Sequence, residues 1–269
     1  MRATAIDANV ASPLVDEVAT EEPLEIRVSC AGKTLSVAVT MRTPGNDFEL
    51  AAGFLFAEGL LRERDDAMGI AYCVDPDVDE EQRYNIVTVQ LRDRAMPNVE
   101  HLERHFTTTS ACGVCGKAHI EALQTRAPRI SSELRVPFTT ITALPERMRP
   151  VQRIFSATGG LHAAALFDAA GSVLAVREDV GRHNALDKLV GWALLNNKLP
   201  LRECVAVVSG RASFELIQKA IVAGIPMVCA ISAPSSFAVS LAQEFDLTLV
   251  AFLRGTRANV YSAQRRVTF

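Results

Sequence analysis

Two cysteines three positions apart, Cys112 and Cys115, are the most reactive pattern in this chain. They sit in Ser110-Ala111-Cys112-Gly113-Val114-Cys115-Gly116-Lys117, after the hydroxyl-rich run Thr107–Ser110. A helical pattern follows, with Ala118, Ile120, Ala122 and Leu123 as its small and apolar positions. The first turn of a helix carries unpaired N–H groups and a partial positive charge. A thiol placed there ionises below the value of about 8.5 of a free cysteine. Gly113 and Gly116 let a bulky group approach the backbone. The stretch reads as a reactive sulfur on an accessible loop.

The spacing has several uses. A structural zinc site needs two further ligands, normally a second C-x-x-C or a histidine pair, and no second C-x-x-C occurs. A zinc deaminase needs H-x-E followed by P-C-x-x-C. His101-Leu102-Glu103 imitates the first half, but Ala111 occupies the proline position and the intervening segment is short. Thioredoxin-like exchange places the pair at the end of the first strand of a βαβ unit, whereas this pair lies mid-chain. Sulfur transfer needs an accessible thiolate, with the second thiol to help release the cargo. A structural loop is the remaining use.

A second set of chemically able residues follows three short apolar runs. Val205–Val208 precedes Ser209-Gly210-Arg211, Met227–Ile231 precedes Ser232-Ala233-Pro234-Ser235-Ser236, and Leu247–Leu253 precedes Arg254-Gly255-Thr256-Arg257. Glycine permits close backbone approach, hydroxyls hydrogen-bond, helix N-termini favour anions, and arginine forks match phosphate oxygens. Together they suit a phosphorylated, nucleotide-like ligand, although neither G-x-G-x-x-G nor a Walker loop is present. Capping and turn formation explain each loop singly. Arg177-Glu178-Asp179-Val180-Gly181-Arg182-His183-Asn184 is dense in charge. It could hold a ligand, with His183 as proton donor or base, or be a network of caps and ion pairs. His162 reads as a semi-buried residue or a ligand group, and His119 as exposed.

The elements that must position these groups fall into two halves. Met1 to about Thr20 is polar and without periodicity, so residues 1–22 are expected to form a disordered tail. Residues 23–137 read as an α+β domain. Strands at Glu25–Val28 and Thr34–Thr40 flank a turn at Cys30-Ala31-Gly32-Lys33. A helix follows Asn46, which has capping character, and buries Leu50, Phe54 and Leu55. Further strands are expected at Ile70–Val74 and Tyr84–Leu91, and Arg126–Pro137 reads as a linker. Residues 138–269 form the second domain. It begins with a helix at Leu144–Phe155 and a hairpin of His162–Phe167 with Val173–Arg177. Helices then follow at Asn184–Leu195, Ser213–Ala223 and Phe237–Phe245. Strands alternating with these helices predict parallel βαβ units, whose post-strand loops share one edge.

Composition bounds the function. The formal charge of −3 argues against a nucleic-acid binder, and no apolar run has the roughly 18 residues of a membrane span. The N-terminus lacks a secretory pattern, so a cytoplasmic protein with reduced thiols is expected. Cys73, Cys204 and Cys229 lie in apolar runs and are expected in the core; Cys30 falls at a turn.

Taken together, several stretches resemble one family, the formate dehydrogenase accessory sulfurtransferases known as FdhD. They are residues 110–117, Thr158-Gly159-Gly160-Leu161-His162 and its continuation to Phe167, 178–188, 209–215 and 232–236. The resemblance covers Glu25 to the C-terminus. It implies a cytidine-deaminase-like second domain without the deaminase zinc, and a homodimer. It implies a sulfur carrier that takes persulfide sulfur from a cysteine desulfurase. The carrier passes that sulfur to the molybdenum bis(molybdopterin guanine dinucleotide) cofactor of formate dehydrogenase. Cys112 would bear the persulfide and Cys115 would assist. The cofactor-contact segment would fall on Phe252-Leu253-Arg254-Gly255-Thr256-Arg257, and Ser209, Gly210, Arg211, Ser232 and His183 would complete the site. The alternatives to a carrier are a non-catalytic chaperone for the same cofactor and a zinc-dependent deaminase.

Overall fold

The computed structural model describes residues 1–92, 123 and 127–269. Residues 2–15, expected to lack regular structure, instead form a hairpin of β1 (Arg2–Asp7) and β2 (Val10–Val15). Ala8 and Asn9 close it with φ of 45° and 71°, the two positive values that a tight hairpin turn demands. Neither face is buried, so no hydrophobic alternation marked it in the sequence.

β3 (Glu22–Cys30) and β4 (Lys33–Arg42) form the expected hairpin. α1 (Asp47–Ala57) buries Leu50 and Leu55, with Phe54 half-buried. Its entry differs from the expected cap. Asn46 takes a left-handed φ of 57° and makes no side-chain cap. The first-turn carboxylates face other partners: Asp47 accepts from Arg42 Nε and Nη2 at 3.1 Å each, and Glu49 accepts from Arg177 Nη2 at 2.7 Å. β5 (Ala67–Tyr72), a short α2 (Glu80–Arg83) and β6 (Ile86–Leu91) follow. The sheet runs β4-β3-β6-β5, with β6 parallel to β3.

Residues 127–135 are not a free linker. Ala127, Ile130 and Leu134 are buried, and Ile130 N–H donates to the Phe245 carbonyl at 2.9 Å. β7 (Val136–Pro137) leads into α3 (Phe138–Met148), which starts six residues before the expected helix and holds Pro145 in its interior. Ile141, Leu144 and Met148 supply its buried stripe; the threonines among them hid the helical period. α4 (Arg153–Thr158) is a separate short helix.

β8 (His162–Phe167), β9 (Val173–Asp179) and α5 (Arg182–Leu195) come next. They are followed by β10 (Val205–Val208), α6 (Phe214–Val222), β11 (Met227–Ala230), α7 (Ser236–Glu244) and β12 (Thr248–Arg254). β13 (Arg257–Val260), not foreseen because it is short and half exposed, pairs antiparallel with β12. β14 (Val267–Thr268) pairs with β7. The second sheet runs β13-β12-β11-β10-β8-β9. Only β10, β11 and β12 are mutually parallel; β8 is antiparallel to β10 and β9 to β8. The fold is therefore mixed α/β.

Alternation along these strands serves two cores. Ala206, Val208, Val228 and Leu249 join the cluster on the side of α5, α6 and α7, while Val205, Val207, Met227 and Cys229 join the one on the side of α3. The first cluster continues through Leu189 and Leu50 to Leu24 and Val87 of the other sheet, so the two halves share a core. They meet most closely where α1 crosses α5. A Cβ on Gly53 would lie 1.9 Å from the Asp187 carbonyl oxygen, and one on Gly191 1.8 Å from that of Glu49.

Cys229 is fully buried, as expected, and so is Cys30, the last inward residue of β3. Cys73 and Cys204 are only half-buried, because each lies just outside a strand end. Among the described residues no helix is long and apolar enough to cross a membrane.

Candidate functional site

The strand order gathers five connections on one rim of the second sheet. β10, β11 and β12 end there. β8, running the opposite way, begins there with His162, and β9 ends there with Asp179. The three loops that the sequence placed on a common edge are thus together, and His162 and the 178–183 turn join them. That addition comes from antiparallel pairing, which the alternating pattern of strands and helices did not reveal.

Backbone bonds lock the loops to one another. Ala212 N–H donates to the Ala233 carbonyl at 3.1 Å, Ser235 N–H to that of Ala212 at 3.0 Å, and Phe252 N–H to that of Ser232 at 3.1 Å. Ser235 caps α7, its Oγ accepting from Ala238 N–H at 3.2 Å. Arg211 is exposed, Ser209 and Ser232 half-buried.

The β12–β13 corner is built by a bulge. Pairing slips between Ala251 and Arg254, and Phe252 takes a φ of 53°. This resets the alternation. Leu253 turns into the α3-side core at 1% exposure, and Phe252 turns outward at 38%. Within the expected contact segment, Leu253 therefore offers only backbone to a ligand. Phe252, Arg254 and Arg257, with Asn259 from β13, line a cleft of about 290 Å³. Asn259 was missed by the sequence reading, which did not foresee β13.

At the opposite end, Ser209 Oγ accepts from Ala163 N–H at 2.9 Å and lies 3.3 Å from His162 Nδ1. The hydroxyl can give its proton to Nδ1 or accept one from it, according to the imidazole tautomer. Burial, then the nearby Arg182 charge, holds His162 below its ordinary pKa. His183 Nε2 lies 3.0 Å from both Ser213 Oγ and Glu215 Oε2. Burial pushes His183 down to about 4, and Arg182, Lys219 and His162 add to this against the pull of Glu215. Both imidazoles are neutral at pH 7. Gly210 packs against them: a Cβ there would lie 3.4 Å from His162 Nδ1 and from Arg182 Cδ. Arg182 Nε is buried without a hydrogen-bond partner among the described residues.

The acidic residues of this turn are occupied structurally. Glu178 accepts from Ile154 N–H at 3.1 Å and Phe155 N–H at 2.8 Å, capping α4. Asp179, fully buried, accepts from Gly181 N–H at 2.8 Å, Asn184 Nδ2 at 3.0 Å and Thr43 N–H at 3.2 Å, and pairs with Lys188 at 2.7 Å. Cys112, Cys115 and His119 lie outside the described residues.

A family model for FdhD/NarQ matches residues 19–268. The chain belongs to the FdhD/NarQ family. It is 50% identical to the sulfur carrier protein FdhD of Mycolicibacterium paratuberculosis over 269 residues, covering 99% of this chain and 97% of the relative. It is 52% identical to that of Streptomyces avermitilis over 256 residues, 94% of this chain and 89% of the relative. The protein of the same name from Sulfurisphaera tokodaii is 43% identical over 94% of this chain and 92% of its own. A crystal structure of a candidate formate dehydrogenase accessory protein from Desulfotalea psychrophila superposes with a TM-score of 0.76 at 23% identity. It covers 100% of this chain and 98% of that one, which establishes a common fold. In this FdhD/NarQ member, then, the rim joins two arginines, a half-exposed phenylalanine, serine-rich loops and a neutral histidine pair.

Proposed function

We propose that this protein is a sulfur carrier for the molybdenum bis(molybdopterin guanine dinucleotide) cofactor of formate dehydrogenase, acting in the cytoplasm. The observation that carries the reading is the rim itself. Two helix N-termini, the Ser209 and Ser232 loops and the Arg254–Arg257 corner converge there, as an elongated ligand with phosphates requires. The names of the relatives support sulfur as the cargo.

In the proposed cycle the Cys112 thiolate attacks the outer sulfur of a persulfide on a cysteine desulfurase. A new S–S bond forms on Cys112, and the desulfurase cysteine leaves as thiolate. On delivery Cys115 attacks Cys112 Sγ. The outer sulfur departs as sulfide to the cofactor, its substrate, and a Cys112–Cys115 disulfide remains. A cellular dithiol reductant returns the pair to thiols. The rim residues bind and orient the cofactor's phosphates and guanine, and no metal of the protein's own takes part. We read the second half as cytidine-deaminase-like in descent and the active form as a homodimer.

Intact-mass measurement after incubation with a cysteine desulfurase and cysteine tests the reading. Adducts of about 32 Da that map to Cys112 are expected from an accessible, ionised thiol. A chain that stays unmodified while still restoring formate dehydrogenase would be a chaperone instead.

A further inference from the structure

The N-terminal hairpin is left uncovered by the rest of the molecule. Both faces of β1 and β2 are exposed among the described residues, with Ile6 at 75% and Val15 at 81%. The hairpin lies ahead of residue 19, where the family match begins. A lone two-stranded hairpin is marginal in water, and further strands stabilise it. Its hydrogen-bond phase shows which edge can take them. The Met1 carbonyl accepts from Asp16 N–H at 2.9 Å, and the Met1 ammonium donates to the Asp16 carbonyl at 2.6 Å. Met1–Asp16 is thus a hydrogen-bonded pair, and by alternation so are Ala3–Leu14, Ala5–Ser12 and Asp7–Val10. The backbone groups of Arg2, Thr4 and Ile6 therefore point out of one edge, and those of Val15, Pro13 and Ala11 out of the other. Pro13 has no N–H, which closes the middle of the β2 edge. The β1 edge carries no such block, and among the described residues no strand but β2 pairs with β1.

We propose that the β1 edge is an interaction surface for a second copy of this chain, joined antiparallel, β1 to β1, in one continuous sheet of order β2-β1-β1-β2. The strand's match to itself argues for that partner. In the register centred on Thr4, Arg2 lies opposite Ile6 of the second copy, Thr4 opposite Thr4, and Ile6 opposite Arg2. This register engages the N–H and C=O of Arg2, Thr4 and Ile6 together, and no other antiparallel register does. It is twofold symmetric, as an isologous contact requires. It sets Thr4 against Thr4, a favourable cross-strand pair, and lays Ile6 on the aliphatic stem of Arg2. Charge chooses the direction. Antiparallel alignment brings the Arg2 end of each strand beside the Asp7 end of the other. Parallel alignment would stack Arg2 on Arg2 and Asp7 on Asp7, and like charges side by side destabilise a sheet. The inference rests on the homodimer reading and names a surface for it, on residues that the family model does not match.

Sedimentation equilibrium of the full-length protein measures association, and hydrogen exchange locates it. Wild type is expected to associate, with the amides of Arg2, Thr4 and Ile6 gaining protection as protein concentration rises. Thr4→Pro removes the central outward N–H, and Ile6→Lys sets a lysine opposite Arg2. Each is expected to weaken association at least about tenfold, the scale of a hydrogen bond lost from each copy, and to abolish the gain in protection. Arg2→Glu/Ile6→Lys sets opposite charges against each other in the same register and should recover most of the loss. Ala11→Pro, on the edge that Pro13 already closes, should behave as wild type. Ile6→Lys changes no backbone group, so it and its rescue carry the test if Thr4→Pro disturbs the hairpin. The inference is overturned if both single variants associate and exchange as wild type does, or if the double variant associates no better than Ile6→Lys. Protection of the β1 amides only in the presence of a different protein overturns it too. A wild-type dimer whose β1 amides stay unprotected overturns this surface and keeps the homodimer reading, whereas a wild-type chain that stays monomeric overturns both.

Discussion

Lys219 of α6 places its ammonium 2.8 and 2.9 Å from the two carboxylate oxygens of Asp187 on α5. Both side chains are buried. Burial raises the Asp187 carboxyl to about 6 against the pull of Lys219. Burial also works against the Lys219 ammonium, but Asp187, Glu58 and Glu215 hold its pKa above the ordinary value. The pair is therefore ionised at pH 7 and ties together the helix that begins with Arg182 and His183 and the one that Ser213 precedes. Lys219→Met leaves a buried carboxylate without its cation, which costs on the order of 3–5 kcal/mol. The double variant Lys219→Met/Asp187→Leu should recover most of it. Urea denaturation checks both, and equal stabilities of the single and double variants would show that the orphaned Asp187 carboxylate is not what destabilises Lys219→Met.

His183 makes stability depend on pH. Its folded pKa of about 4 lies below the ordinary 6.5, so between these values the unfolded chain binds the proton and the folded chain does not. Stability therefore falls as pH drops from about 6.5 towards 4 and loses no more below that. Asp187, raised to about 6 from 3.8, acts in the opposite sense over nearly the same range. The two hide each other in the wild type. Comparison with His183→Gln separates them: wild type should lose stability relative to the variant by on the order of 2–3 kcal/mol between pH 7 and 4. A pH-independent difference would mean that His183 titrates alike in the folded and unfolded chain.

Gly53 and Gly191 set the distance between α1 and α5. With Cβ positions under 2 Å from facing carbonyl oxygens, even alanine must force the helices apart. Such overpacking costs about 1–3 kcal/mol in ordinary cores, occasionally more, and backbone-on-backbone contact belongs at the top of that range. Gly53→Ala and Gly191→Ala should each lower the melting temperature markedly. The Gly32→Ala control, at a surface turn with nothing within 4 Å, carries only the cost of its positive φ.

Much of this fold was legible in the sequence where burial is one-sided or complete. Val205–Val208 announced a buried strand, and Leu186, Leu189 and Val190 a helix face, because neighbouring elements demand those periods. Elements without such a demand were opaque: the exposed β1–β2 hairpin, the half-exposed β13, and α3 with its threonines and internal Pro145. The rim was half legible. Residue type marked Ser209, Ser232 and Arg254, but only tertiary pairing brings His162 and His183 beside them. The bulge at Phe252 could not be read at all, because a run of apolar residues does not say where its alternation resets.

That bulge gives a prediction in which stability and binding move apart. A non-glycine residue at φ 53° carries strain of order 1 kcal/mol. Phe252→Gly relieves it and removes the ring that walls the cleft. The variant should be as stable as wild type or up to about 1 kcal/mol more so, while GDP affinity falls by about tenfold or more, as loss of an aromatic stacking surface predicts. Phe252→Gly that is both markedly less stable and unchanged in GDP binding would show the ring to be a packing residue with no ligand.

The cysteines divide the carrier mechanism into separable steps. Cys112→Ala removes the thiolate that accepts sulfur, so neither the mass adduct nor activation of formate dehydrogenase should appear. GDP titration should be unchanged, because the rim is built from other residues. Cys115→Ala leaves the acceptor in place and removes the thiol that attacks Cys112 Sγ. Its adduct should form normally and persist, while activation falls because sulfide release has lost its internal reductant. The pair of variants thus separates loading from release. If Cys112→Ala restored formate dehydrogenase fully, the protein would deliver its cofactor without handling sulfur. If Cys115→Ala matched wild type in activation, release would depend on an external thiol alone.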